Sequence, residues 1–421
     1  MSTLFPALQK FYNALKQLKL FSENNSFFDN IGCIDSFLSE YRSVTFALQT
    51  SLGTKDHPDY IKNREEFLSK DKNLSKWLND QRVTIVHKHP FKLKKILRIV
   101  IYNSYSSFEL KRYEQTVEHE ESFEIFFQII RNTFLSIATP EIYFSVQFHF
   151  VDEEDAYELN IFDFIENGVT SMWQFLHAMK VDLKDETEVT AKLMRKIDEI
   201  VLSIPHRWAL DAIDYCYYRE RDLFEKGESF NWMMPDIRIS TEMFIQQVQK
   251  MSKTVTTFYE AFIYLHTLAY IKQNHHIMST FFVEYDDGTY QTLAFLATIR
   301  TTMYRYINKV SDLISQHKVT NIYLVTEAVA YGSININSLP KFLQLNYKEK
   351  MAYRTKTFLM FYKVSQIGEI DTKVIDSDSL IDRLSVSAAI GRMKSSTNYS
   401  VHNIMLSPIV EQFKKNSDKY E

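Results

Sequence analysis

Glycine and proline number only eight each in 421 residues, so positions that accept a left-handed backbone or fix φ for a turn are few. Such a chain must fold as long elements joined by few tight turns. Its 32 phenylalanines and 25 tyrosines can fill more than one core, and at about 100–200 residues per core the length predicts two or three domains. The only cysteines, Cys33 and Cys216, are too few and too far apart for a disulfide framework or a zinc site with paired cysteines, which fits a reducing cytoplasm. Lysines are spread through an amphipathic Met1–Leu20 rather than preceding an apolar run, unlike a secretory signal. The most apolar stretch, Ala261 to Ile271, is broken by His266 and Thr267 and falls short of the roughly 20 residues that cross a bilayer. A cytoplasmic protein without membrane segments is expected.

Apolar spacing then divides the chain. Leu4, Leu8, Phe11, Leu15 and Leu18 repeat at helical intervals, as do Phe27, Ile31, Ile34, Leu38, Tyr41, Leu48 and Leu52 before Gly53. A third helix is predicted over 58–68 and a fourth over 70–86, with Leu74, Leu78, Gln81 and Ile85 on its core face and Pro90 limiting it. Short connections favour an antiparallel four-helix bundle over residues 1–90. Beyond it the period changes. A strand is predicted at 96–102, a helix at 120–137, and a hairpin from 142–150 and 157–162 around the acidic turn 152–155. Helices are predicted at 166–179, 186–203, 207–226 and 241–273. A second hairpin, 280–285 with 290–296, turns through Asp286-Asp287-Gly288, and is followed by a helix at 301–317 and strands at 321–330 and 357–365. The class is α+β: an N-terminal helical bundle, then a mixed region with long helices and small antiparallel sheets. Residues 91–182 read as one α+β unit, and 183–421 as a helical segment plus a second α+β unit.

Residues 1–95 hold 15 Lys+Arg against 10 Asp+Glu, a net +5, which leaves −9 for the rest of a chain at −4. The basic segment is the better candidate for a nucleic-acid face. It ends in Trp77-Leu-Asn-Asp-Gln-Arg82-Val-Thr-Ile-Val-His87-Lys-His89-Pro90, where an arginine is followed at short spacing by His87 and by His89. Together with the long preceding helix through Phe37-Leu-Ser-Glu-Tyr-Arg-Ser-Val-Thr-Phe-Ala-Leu-Gln49, this pattern resembles the HEPN superfamily over about the first quarter of the chain. Many members carry Asn, Asp or His directly after the arginine. Val83 stands there in this chain, and Asp80 or Thr84 are the polar neighbours that could replace it.

The resemblance implies a metal-independent endoribonuclease, of the toxin or phage-defence kind, that cleaves tRNA or mRNA without a cofactor. Its products would carry 2′,3′-cyclic phosphate and 5′-hydroxyl ends. It also implies a homodimer through the bundle, with RNA as substrate and an antitoxin or regulatory protein as a further partner. The residue types suit that chemistry: an imidazole moves a proton near neutral pH, and a guanidinium stabilises charge gathering on a phosphate. His87 and Arg82 are the catalytic candidates. Glu40, Asp80, Thr84 and His89 are candidates for support, and Lys88, Lys92, Lys94 and Lys95 for holding the RNA backbone. The alternative is a HEPN module that binds RNA or protein without cleaving, to which Val83 points.

Other patterns carry less. His275-His276 lacks a third ligand at metal spacing, and His119-Glu120-Glu121 lacks the second histidine of a zincin helix. Asp152 to Asp155 reads as a solvated turn. No P-loop or dinucleotide fingerprint is present.

Overall fold

The computed structural model describes residues 2–21, 27–69, 72–117, 124–133, 139–152, 160–203, 212–228, 231–233, 238–273, 276–332, 336–377, 380, 386 and 404–417. By internal contacts the chain divides into two compact units, one of residues 1–98, 114–134 and 147–211, the other of 99–113, 135–146 and 212–421. An N-terminal helical region is followed by a mixed region of long helices and antiparallel sheet.

The first unit opens with α1 (Phe5–Leu18) and α2 (Phe27–Leu52). The predicted stripe of α1 is buried at Leu8, Phe11, Leu15 and Leu18, and the matching stripe of α2 at Ile34, Leu38, Tyr41 and Leu48. The predicted third helix starts as α3 (Pro58–Asn63) and widens into a π-helical turn over Arg64–Leu68. α4 (Lys72–His87) follows. Strands β1 (Leu93–Tyr102) and β2 (Glu109–Thr116), helix α5 (Glu124–Thr133) and strand β3 (Glu141–Asp152) come next, each strand divided between the two units. α6 (Ile161–Asp182) and α7 (Glu188–Ser203) complete the unit.

Of the predicted strand at 157–162, Asn160 forms an isolated antiparallel bridge with Val151 of β3, whereas Ile161 and Phe162 are helical. Asn160 adopts an extended backbone and its side chain accepts from the Phe162 amide, an N-cap that starts α6 at Ile161. Residues 157–159 of that strand, and 153–155 of the predicted acidic turn, lie outside the described residues. Asp152 is also no solvated turn residue: it ends β3 at 5% exposure and accepts from Gln81 Nε2 at 2.5 Å. Gly168 lets α6 pack closely. A Cβ there would lie 3.1 Å from Leu78 and 3.4 Å from the Tyr41 hydroxyl, which donates to the Gly168 carbonyl at 2.7 Å.

In the second unit, β4 (Ile213–Tyr218) and β5 (Leu223–Lys226), joined by a 3-10 turn at Arg219–Arg221, replace the predicted helix at 207–226 from Ile213 onward, while 207–211 lie outside the described residues. Tyr215, Cys216, Tyr217 and Tyr218 are all buried, and a run of aromatic side chains covered on both faces suits a strand better than a helix. β4 pairs antiparallel with residues 141–146 of β3, from Glu141 opposite Tyr218 to Val146 opposite Ile213. The five-stranded sheet runs β2-β1-β3-β4-β5.

The larger sheet has seven strands. β6 (Asn231–Met233) and β7 (Ile239–Ser240) lead into α8 (Thr241–Gln249) and α9 (Phe258–Lys272). The single helix predicted over 241–273 is thus two. The polar run Ser252 to Thr257 interrupts it, and Thr257 with Glu260 closes a capping box that starts α9. The predicted hairpin forms as β8 (Ser279–Tyr285) and β9 (Thr289–Phe295), with Gly288 at φ +75° where a Cβ would be strained. Then come α10 (Arg300–Gln316), β10 (Val319–Tyr331), α11 (Leu339–Leu343), α12 (Tyr347–Met351), β11 (Arg354–Ser365), β12 (Ile370–Asp376) and α13 (Ser407–Ser417). The strand order is β12-β11-β10-β8-β9-β6, with β7 also on β9.

Period two along these strands sends alternate residues into two cores. Phe282, Tyr323, Val325, Leu359 and Phe361 pack against α8 and α9. Their neighbours Phe281, Val283, Ile322, Leu324, Met360 and Tyr362 pack against α10 and α13. The sheet is therefore the middle layer of three, which explains its near-continuous apolar sequence.

Candidate functional site

The backbone of α4 carries Arg82 and His87 in its last turns, while their side chains lie outside the described residues. Five residues apart, the two backbone positions are offset by about 140° around the helix axis. Thr84 sets the helix end: its carbonyl accepts from both the Lys88 amide at 2.8 Å and the His89 amide at 3.2 Å. His89 therefore lies past the last turn, and its Nδ1 is 2.9 Å from the Pro90 carbonyl, to which it donates when protonated there.

α4 is fixed through Trp77 and Gln81. Trp77 stacks on Phe164 of α6, with ring centroids 5.0 Å apart, and meets Phe91 edge-on at 6.4 Å. Gln81 reaches Asp152, and the Phe91 amide donates to Asp35 of α2 at 3.1 Å. These contacts hold the final turns of α4 against strand and helix. Val83 is left 38% exposed and Asp80 faces solvent, with Thr84 half-buried beside them.

The four candidate lysines separate. Lys88, directly after α4, and Lys92 are exposed, and Lys94 in β1 is half-buried. Lys95 turns inward: it is 6% exposed, with Nζ 4.1 Å from the centre of the Phe148 ring. Glu40 is engaged with Lys10 of α1 at 3.1 Å, an interhelical ion pair. His276 is exposed and His275 lies outside the described residues. Among the described residues no group of three or more His, Cys, Asp or Glu side chains could hold a metal ion. Among them, too, no helix is long and apolar enough to cross a membrane.

Sequence reasoning missed a polar cluster in the second unit. Glu141, at the start of β3, accepts from Lys350 Nζ at 2.7 Å and from the Tyr143 hydroxyl. Tyr218 donates to Glu225 at 2.6 Å, and Asp214 takes a two-pronged contact from Arg305 at 2.9 Å. Burial pushes the Cys216 thiol and the Tyr143 and Tyr218 hydroxyls far up, so all three stay protonated. Protonated, hydrogen-bonded and enclosed, these groups brace α10 and α12 on the sheet instead of presenting a nucleophile. The signal was the Tyr-Cys-Tyr-Tyr run, hidden by its reading as helix.

No family model matches the chain, and comparison with curated proteins and with solved structures finds no match in either.

Proposed function

We propose that the N-terminal helical unit is a HEPN-like, metal-independent endoribonuclease module, with Arg82 and His87 as its catalytic pair. The observation that supports this reading is the end of α4, which carries both residues on a helix anchored through Trp77 and Gln81 and followed in the chain by exposed Lys88 and Lys92. In this reading His87 exchanges a proton with the ribose 2′-hydroxyl or the leaving oxygen. Arg82 stabilises the charge on the scissile phosphate, and the lysines hold the neighbouring backbone. The wide offset between the two positions on one helix is met by pairing two copies, so that the arginine of one and the histidine of the other share a cleft. The exposed Val83 then lies in the interface instead of blocking the chemistry. An RNA-directed toxin or defence role in the cytoplasm, restrained by the rest of the chain or by a partner, follows from the same reading.

The test is incubation of the purified full chain with total tRNA in chelator, followed by mapping of the ends. Cleavage leaving 2′,3′-cyclic phosphate is expected, and Arg82→Ala and His87→Ala should each slow it by about 10²–10⁴-fold with unchanged helical circular dichroism. Tight, salt-sensitive RNA binding without cleavage would overturn the nuclease reading in favour of a binding module.

A further inference from the structure

In the second unit a cavity of about 320 Å³ opens between the β8–β9 hairpin and the C-terminal half of α10. Its size is at the lower end of small-molecule sites, about 300–1,000 Å³. Arg238, Lys309 and His317 line it, and no lining residue carries a carboxylate. The Arg238 guanidinium carbon lies over the Tyr285 ring, 3.9 Å from its centre, and the group gives one N–H to Asp287 at 3.2 Å. A guanidinium has five N–H groups, so this contact orients it and leaves donors for a ligand. Gln291 is 7% exposed, and its Oε1 accepts from the Tyr285 hydroxyl at 2.8 Å, which makes Nε2 the donor end of that amide. Leu293 and Leu313 supply apolar wall.

The geometry points to a binding site for a small organic phosphate, with the phosphate among Arg238, Lys309, His317 and the Gln291 amide and the organic part against the leucines. Planar N–H forks and point charges are the side chains that recognise phosphate oxygens, and the apolar wall selects an ester over the free ion. The C-terminal end of α10 at one rim opposes an anion through its dipole. The full charges of Arg238 and Lys309 outweigh that partial charge.

The test is calorimetry on the full chain at constant ionic strength with AMP, ribose 5-phosphate, inorganic phosphate and adenosine. Saturable binding of the two esters is expected, with inorganic phosphate at least about tenfold weaker and adenosine silent. Lys309→Ala and Arg238→Gln should each weaken AMP by about tenfold or more, and Leu313→Trp, which fills the cavity and keeps its charges, should abolish binding. Each variant is checked for a native melting transition, and the exposed Arg238→Gln reports the site if Leu313→Trp fails to fold. The proposal is overturned if no ester binds at millimolar concentration, if folded Arg238→Gln and Lys309→Ala leave binding unchanged, or if inorganic phosphate reproduces the signal of the esters.

Discussion

His266 shows how one buried side chain sets a pH response. It sits in α9 at 8% exposure, its ring against Phe262 and Phe282, with Nδ1–H donating to the Phe262 carbonyl at 2.8 Å. Burial brings its pKa down from 6.5 to about 4, against the smaller opposing effect of that hydrogen bond. The unfolded chain therefore binds a proton between those values that the folded chain refuses. Stability is intact above pH 6.5 and is lost progressively toward pH 4, by on the order of 3 kcal/mol from this residue. His266→Phe, which keeps the ring and removes the titration, should flatten that part of the stability profile in urea melts at pH 4.5 and 7. An unchanged slope would show that other groups govern it. In the sequence His266 stood out only as a polar break in the most apolar stretch. Its burial comes from a helix that is apolar nearly all round, which one-face periodicity does not reveal.

Among elements, those with a single clear period were legible. α1 and α2 follow their predicted stripes, and the β8–β9 hairpin turns at Asp286-Asp287-Gly288. Failures came where tertiary contacts decide. The aromatic run in β4 fits either a buried strand or a buried helix until its partner Glu141–Val146 is known. Gly168 is similar: nothing local marks it as the point where α6 meets α2 and α4. Gly168→Leu should destabilise the protein by about 1–3 kcal/mol through overpacking against Leu78 and Tyr41, seen as a lower urea midpoint at unchanged slope. If Gly168→Leu melts like the wild type, α6 has room that the contact distances deny. The candidate site was legible in part. The motif placed Arg82 and His87 near the end of a helix, where α4 carries both. The inward turn of Lys95 was not readable, because it depends on Phe148, more than fifty residues away in the chain.

At the scale of the whole molecule, the chain builds its units from interrupted segments. β1, β2 and β3 each begin in one unit and end in the other, a topology that composition and periodicity cannot disclose. Each unit contains one cysteine: Cys33 at 8% exposure in the first and Cys216 at 2% in the second. Burial raises both thiols above their usual range, with the Asp29 charge adding to the effect at Cys33. Thiolate, the reactive form, is thus withheld wherever the fold is intact. The two sulfurs are consequently native clocks for local opening. Under a pulse of alkylating reagent with increasing denaturant, the peptides around Cys33 and Cys216 should gain mass only as their own surroundings come apart. Coincident curves would mean that the interleaved chain opens as one cooperative body, and separate curves would rank the halves by strength without any added probe.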